Sequence, residues 1–402
     1  MPEKVVVTGV GLFTALGKGV QQNFNMLKQA RHGLRHLRML ETKLKNDFFY
    51  GEIEESAENL ARSLGITDVE GTTRTSVLGM HAIQEAMQQS GINLEGLKRT
   101  AFINASTVGG MCEVEKYYFQ MLNDEGDYTH YSDTIDIADC THRMADFFCF
   151  DHLVTSISTA CSSSANAIQF GARLLQHQEA DYIVCGGTDG LSKFTINGFN
   201  SLKNIDRNLC RPFDQNRNGL NLGEGAAYVI LERESQAKHR GATILAVLNG
   251  YSNFNESFHP TAPNPQGEGA YQVMKRALVA AGLKSEQIDY INAHGTATMT
   301  NDESESNAMK RLFHDVPVFS STKPFTGHTL AAAGAVEAVF SILAIQHQCV
   351  FPNLNFSEPM ESGGLIPQLE FESKPIQHVM TNSYAFGGNN TSLIFSAPNS
   401  IL

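Results

Sequence analysis

The sequence predicts a layered α/β fold built from two similar halves, and three observations carry that prediction. Apolar, β-branched runs alternate with helix-period segments along the chain, 34 glycines punctuate them, and several strand–loop–helix stretches recur in the same order. "KVVVTG" near the start, "ADYIVCGG" from Ala180 and "AAYVILE" from Ala226 are short, bounded apolar runs of the kind a buried strand needs. "TSVLGMHAIQEAMQQSG" and "AYQVMKRALVAAGL" repeat apolar residues at helical spacing, and each reaches a glycine at or near its end.

The recurrence is specific in order. "VVVTGVGLFT" from Val5 echoes "AVLNGYSNFN" from Ala246, and "AFINASTVGG" from Ala101 echoes "YINAHGTATMT" from Tyr290. "ISTACSSSANAIQFGARLL" likewise echoes "SSTKPFTGHTLAAAGAVEAVFSILAI", in each case a short strand, a small-residue loop and an Ala-rich helix. Duplication is the expectation, with halves spanning 1–250 and 251–402 and related loops meeting at their seam. The competing reading is chance similarity among units that share a composition.

Composition narrows the function. With 402 residues, 42% of them hydrophobic, the chain can bury a sizeable core. A net charge of −12 without any Lys/Arg run argues against nucleic-acid binding, which needs a basic face. Seven cysteines at irregular spacing, with no CxxC, suggest neither a disulfide framework nor a zinc site, so no metal is expected and the compartment is expected to be reducing. "MPEKVVVTGVG" runs from charge directly into a strand, without the layout of a signal peptide. The apolar stretch Thr329–Ile345 carries Glu337 at its middle, which fits a buried helix better than a membrane span. A cytoplasmic location without membrane association is therefore expected.

Within "STACSSSANAIQFGARLL", Cys161 is ringed by Ser, Thr and Ala, side chains too small to crowd a reacting group. If the strand "TSISTA" ends at Ala160 and a helix opens at Cys161, the helix terminus favours thiolate, and Cys161 should be the most readily alkylated of the seven cysteines. The alternative is an inert core cysteine. A nucleophile also needs proton carriers and an oxyanion site. His294 in "NAHGTAT" follows a strand-like run, and His328 in "KPFTGHTLAAAG" starts the Ala-rich helix that pairs, in the duplication, with the Cys161 helix. "NSYAFGGNNTSLIF" sets a glycine pair between strand-like runs; it reads as a plain hairpin or as a loop presenting backbone N–H groups, with Phe386 over the pocket.

Together "TACSSS", "NAHGTAT", "STKPFTGHTLAAAGAVEA", "RPFDQNRNG" with "LGEGAA", and "AFGGNNTS" resemble the β-ketoacyl-acyl-carrier-protein synthases, condensing enzymes of the thiolase superfamily. The resemblance spans the chain. It implies a duplicated, five-layer αβαβα thiolase-like fold and a dimer. It also implies a triad of Cys161, His294 and His328, the nucleophile in the first half and both histidines in the second. Cys161 would take an acyl group from phosphopantetheine, with an oxyanion hole formed by the N–H groups of Cys161 and Phe386. The histidines would stabilise the enolate left by malonyl decarboxylation, giving a β-ketoacyl thioester two carbons longer. Lys323 and Glu337 match the family's ion pair near the second histidine, and Thr296 and Thr298 the hydroxyls that bind the pantetheine arm. No cofactor is implied beyond that substrate-borne arm. Asn218, Asn389, Met299 and Thr300 depart from the usual motifs.

The implied partner is an acidic carrier protein, so the chain's own negative charge has to be reversed locally. Basic residues gather between Lys193 and Arg217, and docking is assigned to Lys203 and Arg207 with help from Arg74, while Arg211 and Arg217 brace their loop. Three rival readings compete with this one. A dinucleotide-dependent oxidoreductase fails because Thr14 stands where the fingerprint needs its third glycine. A thiolase lacks its second cysteine in the C-terminal glycine loop. A non-catalytic chain-length-determining subunit is the remaining alternative, against which stands retention of Cys161 with both histidines. Homodimer and heterodimer, and fatty-acid and polyene or polyketide-like pathways, all agree with the sequence.

Overall fold

The computed structural model describes residues 3–67, 69, 71–92, 99–123, 125–362 and 364–398. Ten main strands are β1 (Val5–Thr14), β2 (Thr100–Ala105), β3 (Leu153–Ile157), β4 (Tyr182–Asp189), β5 (Gly225–Arg233), β6 (Ala246–Asn255), β7 (Tyr290–Asn292), β8 (Val318–Ser320), β9 (His378–Tyr384) and β10 (Asn389–Ser396). They form one sheet in the order β3-β2-β4-β5-β1-β6-β10-β9-β7-β8, with the two-residue strand Gly17–Lys18 paired beside β1. The order is palindromic in pairing. From the centre outwards, β1 pairs antiparallel with β5, β5 antiparallel with β4, β4 parallel with β2 and β2 parallel with β3. On the other side, β6, β10, β9, β7 and β8 repeat the same senses. Three residue pairs, from Val5↔Leu248 to Val7↔Ala246, join the two. The repeat opens with Ala246, so a division at Gly250 falls inside β6.

Six helices complete the layers: α1 (Arg74–Ser90), α2 (Ile137–Phe148), α3 (Ser163–Gln176), α4 (Glu268–Ala281), α5 (Met299–Leu312) and α6 (Ala333–His347). α1 and α2 cover the outer face of the first half-sheet, and α4, with α5 packed on it, that of the second. α3 and α6 lie against each other between the half-sheets, which gives the αβαβα sandwich. In that middle layer α6 is buried from Ala333 through Ile345, while α3 leaves Arg173 and Gln176 exposed toward its C-terminal end. Among the described residues, Leu330–His347 is the one stretch long and apolar enough to cross a membrane, and 89% of it is buried inside the fold.

Two glycines show why backbones meet here. A Cβ at Gly334 would come within 2.8 Å of Ala165, so α6 can approach α3 only without one. A Cβ at Gly11 would lie 1.8 Å from the Ala82 carbonyl of α1. The glycines of "VTGVG" thus serve helix-on-strand packing inside a strand whose every residue is buried, not a nucleotide loop.

Candidate active site

Cys161 lies in the turn from β3 to α3, ahead of the cap residue Ser162, so it precedes the helix instead of opening it. Before it, Ala160 adopts φ 52, a left-handed conformation that costs a residue with a Cβ roughly 1–3 kcal/mol. The small hydroxyls brace this elbow. Ser163 Oγ donates to the Ala160 carbonyl at 2.6 Å and accepts the Thr159 N–H at 2.8 Å.

The backbone N–H groups of Phe386 and of Cys161 itself act on the thiol, and a pair of such donors beside the nucleophile is what an oxyanion hole would use. Both N–H groups and the nearby Lys323 favour thiolate. Burial outweighs them and pushes the thiol up to about 11, so the expected low-pKa cysteine is instead protonated at rest. Cys149 is the one exposed cysteine, so on access alone it competes with Cys161 for an alkylating reagent.

His294 follows β7 and His328 follows a short turn after β8, and their rings stand 5.6 Å apart at 87°. Leu330 N–H donates to His328 Nδ1 at 3.1 Å, which leaves the ring proton on Nε2. That Nε2 is buried and finds no partner among the described residues. Lys323 Nζ lies 3.2 Å from His294 Nδ1 and donates to the His294 carbonyl at 2.6 Å, so His294 too carries its proton on Nε2. Burial holds both imidazoles well below the usual histidine range, with Lys323 adding to the effect at each. Two neutral N–H donors therefore face the cavity. Lys323 is itself buried, held by an ion pair with Glu337, whose carboxyl burial pushes up to about 7 against the pull of Lys323.

Two chambers meet at Cys161. One is lined by His294, His328, Thr296, Thr298 and Phe386; the two threonine hydroxyls lie 2.8 Å apart, an arrangement able to receive an amide-bearing arm. The other, about 280 Å³ and mostly apolar, is lined by Val108, Met111, Phe194, Phe199 and Leu330. Phe386 borders both and stacks on Phe199 with centroids 5.8 Å apart. A larger cavity of about 490 Å³ lies elsewhere, against Arg74, Glu113 and Glu224, and includes none of the triad.

Lys203 and Arg207 are exposed, as docking requires. Arg74 is not. Its guanidinium is spent on Glu224 at 2.6 Å and on the carbonyls of Ile53 and Glu55, with a side chain 12% exposed, so it is a structural ion pair and no docking residue. Arg217 braces its loop through the carbonyls of Asp214 and Met299.

Several residues of the site were not singled out in the sequence. Glu305 receives the N–H groups of His294 and Gly295 at 3.0 and 2.9 Å, and burial pushes its carboxyl up to about 7. Asp302 and Glu305 are both fully buried and three positions apart on α5, and that spacing of acids on one helix face was the available signal. Asn389, a departure from the usual motif, ties the Cys161 elbow to the glycine loop: its Oδ1 accepts from Ser162 Oγ, Asn166 Nδ2 and Asn253 Nδ2 at 2.9, 2.9 and 2.7 Å.

Comparison with known proteins shows the family. The β-ketoacyl synthase N-terminal domain profile matches residues 2–237 and the C-terminal domain profile residues 245–357. A 3-oxoacyl-[acyl-carrier-protein] synthase 2 of Coxiella burnetii is 34% identical, covering 98% of each chain. Among solved structures, the ishigamide ketosynthase/chain length factor superposes with a TM-score of 0.92 at 28% identity, over 99% of this chain and 100% of the other. A ketosynthase (ApeO) in complex with its chain length factor (ApeC), from Xenorhabdus doucetiae, gives 0.82 at 29% identity over 98% of each.

Proposed function

Since the chain belongs to the β-ketoacyl synthase family, and is a carbon–carbon bond-forming acyltransferase, we propose that Cys161 carries the acyl group while His294 and His328 act on malonyl-carrier protein. The observation that carries this reading is the meeting, at one cavity, of a thiol under two backbone N–H groups with two neutral imidazoles whose Nε2–H groups are free to donate.

In the first half-reaction, Cys161 Sγ bonds to the thioester carbonyl carbon and the oxyanion rests on the N–H groups of Cys161 and Phe386. Collapse breaks the bond to the pantetheine sulfur, which leaves with the thiol proton. In the second, the malonyl carboxylate departs as CO₂ and its bonding pair stays on the thioester as an enolate. The enolate oxygen accepts from His294 and His328 Nε2–H. A cation there would be the wrong partner only in cost: burial keeps both rings neutral, so the donors exist without an imidazolium. The enolate carbon then attacks the acyl carbonyl, and Cys161 leaves and recovers a proton from solvent.

Lys323 orients His294, paired with Glu337, and Thr296 and Thr298 receive the pantetheine amides. Phe386 gates the passage between chambers. Lys203 and Arg207 meet the acidic carrier protein, and the two halves, one carrying Cys161 and the other both histidines, act as one unit in the cytoplasm. Dimerisation is assigned to β3, an edge strand hydrogen-bonded on one side only among the described residues and half-buried along its length. The ketosynthase–chain length factor assemblies among the structural neighbours support a related subunit as the partner.

The test offers the purified chain an acyl-pantetheine and malonyl-carrier protein, with peptide mass mapping of the adduct. The reading requires an acyl group on Cys161 and a product two carbons longer. Product formed by a Cys161→Ala variant would overturn it.

A further inference from the structure

Leu330 is held in a conformation its residue type disfavours. Its φ is 54, in the left-handed region, although it is a branched, buried side chain with a Cβ. Three contacts meet at this residue. Its side chain packs in the apolar cluster with Val108 and Phe199 and lines the 280 Å³ chamber. Its N–H, at 3.1 Å, is what sets the tautomer of His328. The next N–H, of Ala331, donates to Asp189 at 2.9 Å.

Asp189 is the second part of the device. Its fully buried carboxylate also accepts the N–H groups of Thr107 and Val108, each at 2.9 Å, and the hydroxyls of Ser106 and Thr107 at 2.7 and 2.6 Å. One carboxylate thereby joins the Val108 wall of the chamber to the turn that follows His328. The histidine's own backbone is pinned from the other side, its N–H to the Asn221 carbonyl at 2.8 Å and its carbonyl to the Gly223 N–H at 3.0 Å. Between these anchors lies the Thr329–Leu330 arc, whose own carbonyls are held only locally, by the N–H groups of Ala332 and Ala333 in a single 3-10 turn.

We propose that Leu330 is a positioning residue that senses the acyl chain in the apolar chamber and sets the His328 imidazole, so that malonyl decarboxylation responds to chamber occupancy. This rests on the reading of Cys161 as acyl carrier. A chain that fills the chamber presses the Leu330 side chain, and the strained arc transmits the displacement to the N–H that orients His328. The chain thereby discriminates between two states of the arc, as any ligand-driven shift must.

The test uses the whole protein with Cys161 capped by iodoacetamide or by N-decyl iodoacetamide, and malonyl-pantetheine as substrate so that carrier docking plays no part. Wild type should release CO₂ at rates differing at least about fivefold between the two caps, the low end of site-to-site coupling. Leu330→Gly keeps the backbone conformation and the N–H while removing the side chain, and Leu330→Met retains bulk. The difference between caps should vanish in the first and return in the second. Equal rates with both caps in wild type, or a difference that persists in Leu330→Gly, would overturn the coupling while leaving the proposed function intact. No decarboxylation under either cap would overturn both.

Discussion

Alkylation of Cys161 by iodoacetamide is expected to climb about tenfold with each pH unit between 7 and 9, without a plateau, because the thiolate is the nucleophile and the thiol sits far above that range. Burial is the largest influence and raises it; Lys323 is the largest opposing charge, followed by the N–H groups of Phe386 and Cys161. At about 11, only about one thiol in ten thousand is ionised at pH 7, the four-unit difference giving four factors of ten. Lys323→Met removes the main charge that favours thiolate, so at pH 8 the rate should fall by about tenfold for each unit of further rise, or about 1.4 kcal/mol. Glu337→Gln acts in the opposite sense, since Glu337 raises the thiol. The assay is a time course at each pH with peptide mapping, because the exposed Cys149 reacts as well. A plateau below pH 8.5, or a Lys323→Met enzyme that alkylates faster, would refute the balance of burial against charge.

Other outcomes follow from the same geometry. His294→Ala or His328→Ala should abolish condensation, by about 10²-fold or more, yet leave acylation of Cys161 measurable by mass spectrometry, since the oxyanion donors are backbone groups. Reversing Lys203 and Arg207 to Glu should raise KM for carrier-borne substrates, more at low salt, and leave KM for a short acyl-pantetheine unchanged; each exposed contact is worth up to about 1 kcal/mol. Arg74→Met should instead lower stability by about 3–5 kcal/mol in urea unfolding, because it strands the buried Glu224 carboxylate. Lowering the pH should leave the imidazoles neutral until well below the ordinary histidine range, so a loss of condensation near pH 7, measured at constant carrier saturation, should come from the buried carboxyls of Glu337 and Glu305 and not from His294 or His328.

Those residues divide by how local their signal is. The triad and the glycine loop were legible because each sits in a run of small residues that only a close backbone approach explains. The strand echoes were legible because pairing senses repeat with element order. The elbow at Cys161 was placed two positions early, since "STACSSS" does not reveal that Ala160 takes a left-handed conformation before the helix starts. The thiol's protonation was read with the wrong sign, because a helix terminus is local while desolvation depends on everything packed around it. Arg74 looked like a surface charge because its partner Glu224 lies 150 residues away. Asp189 gives no local sign of its work, since the N–H groups it holds belong to distant loops.

The palindromic sheet puts Cys161 and His328 on equivalent turns, each leading from a strand into a middle-layer helix, and each turn holds one left-handed residue, Ala160 on one side and Leu330 on the other. The same piece of architecture therefore presents a nucleophile in one copy and a hydrogen-bond donor in the other.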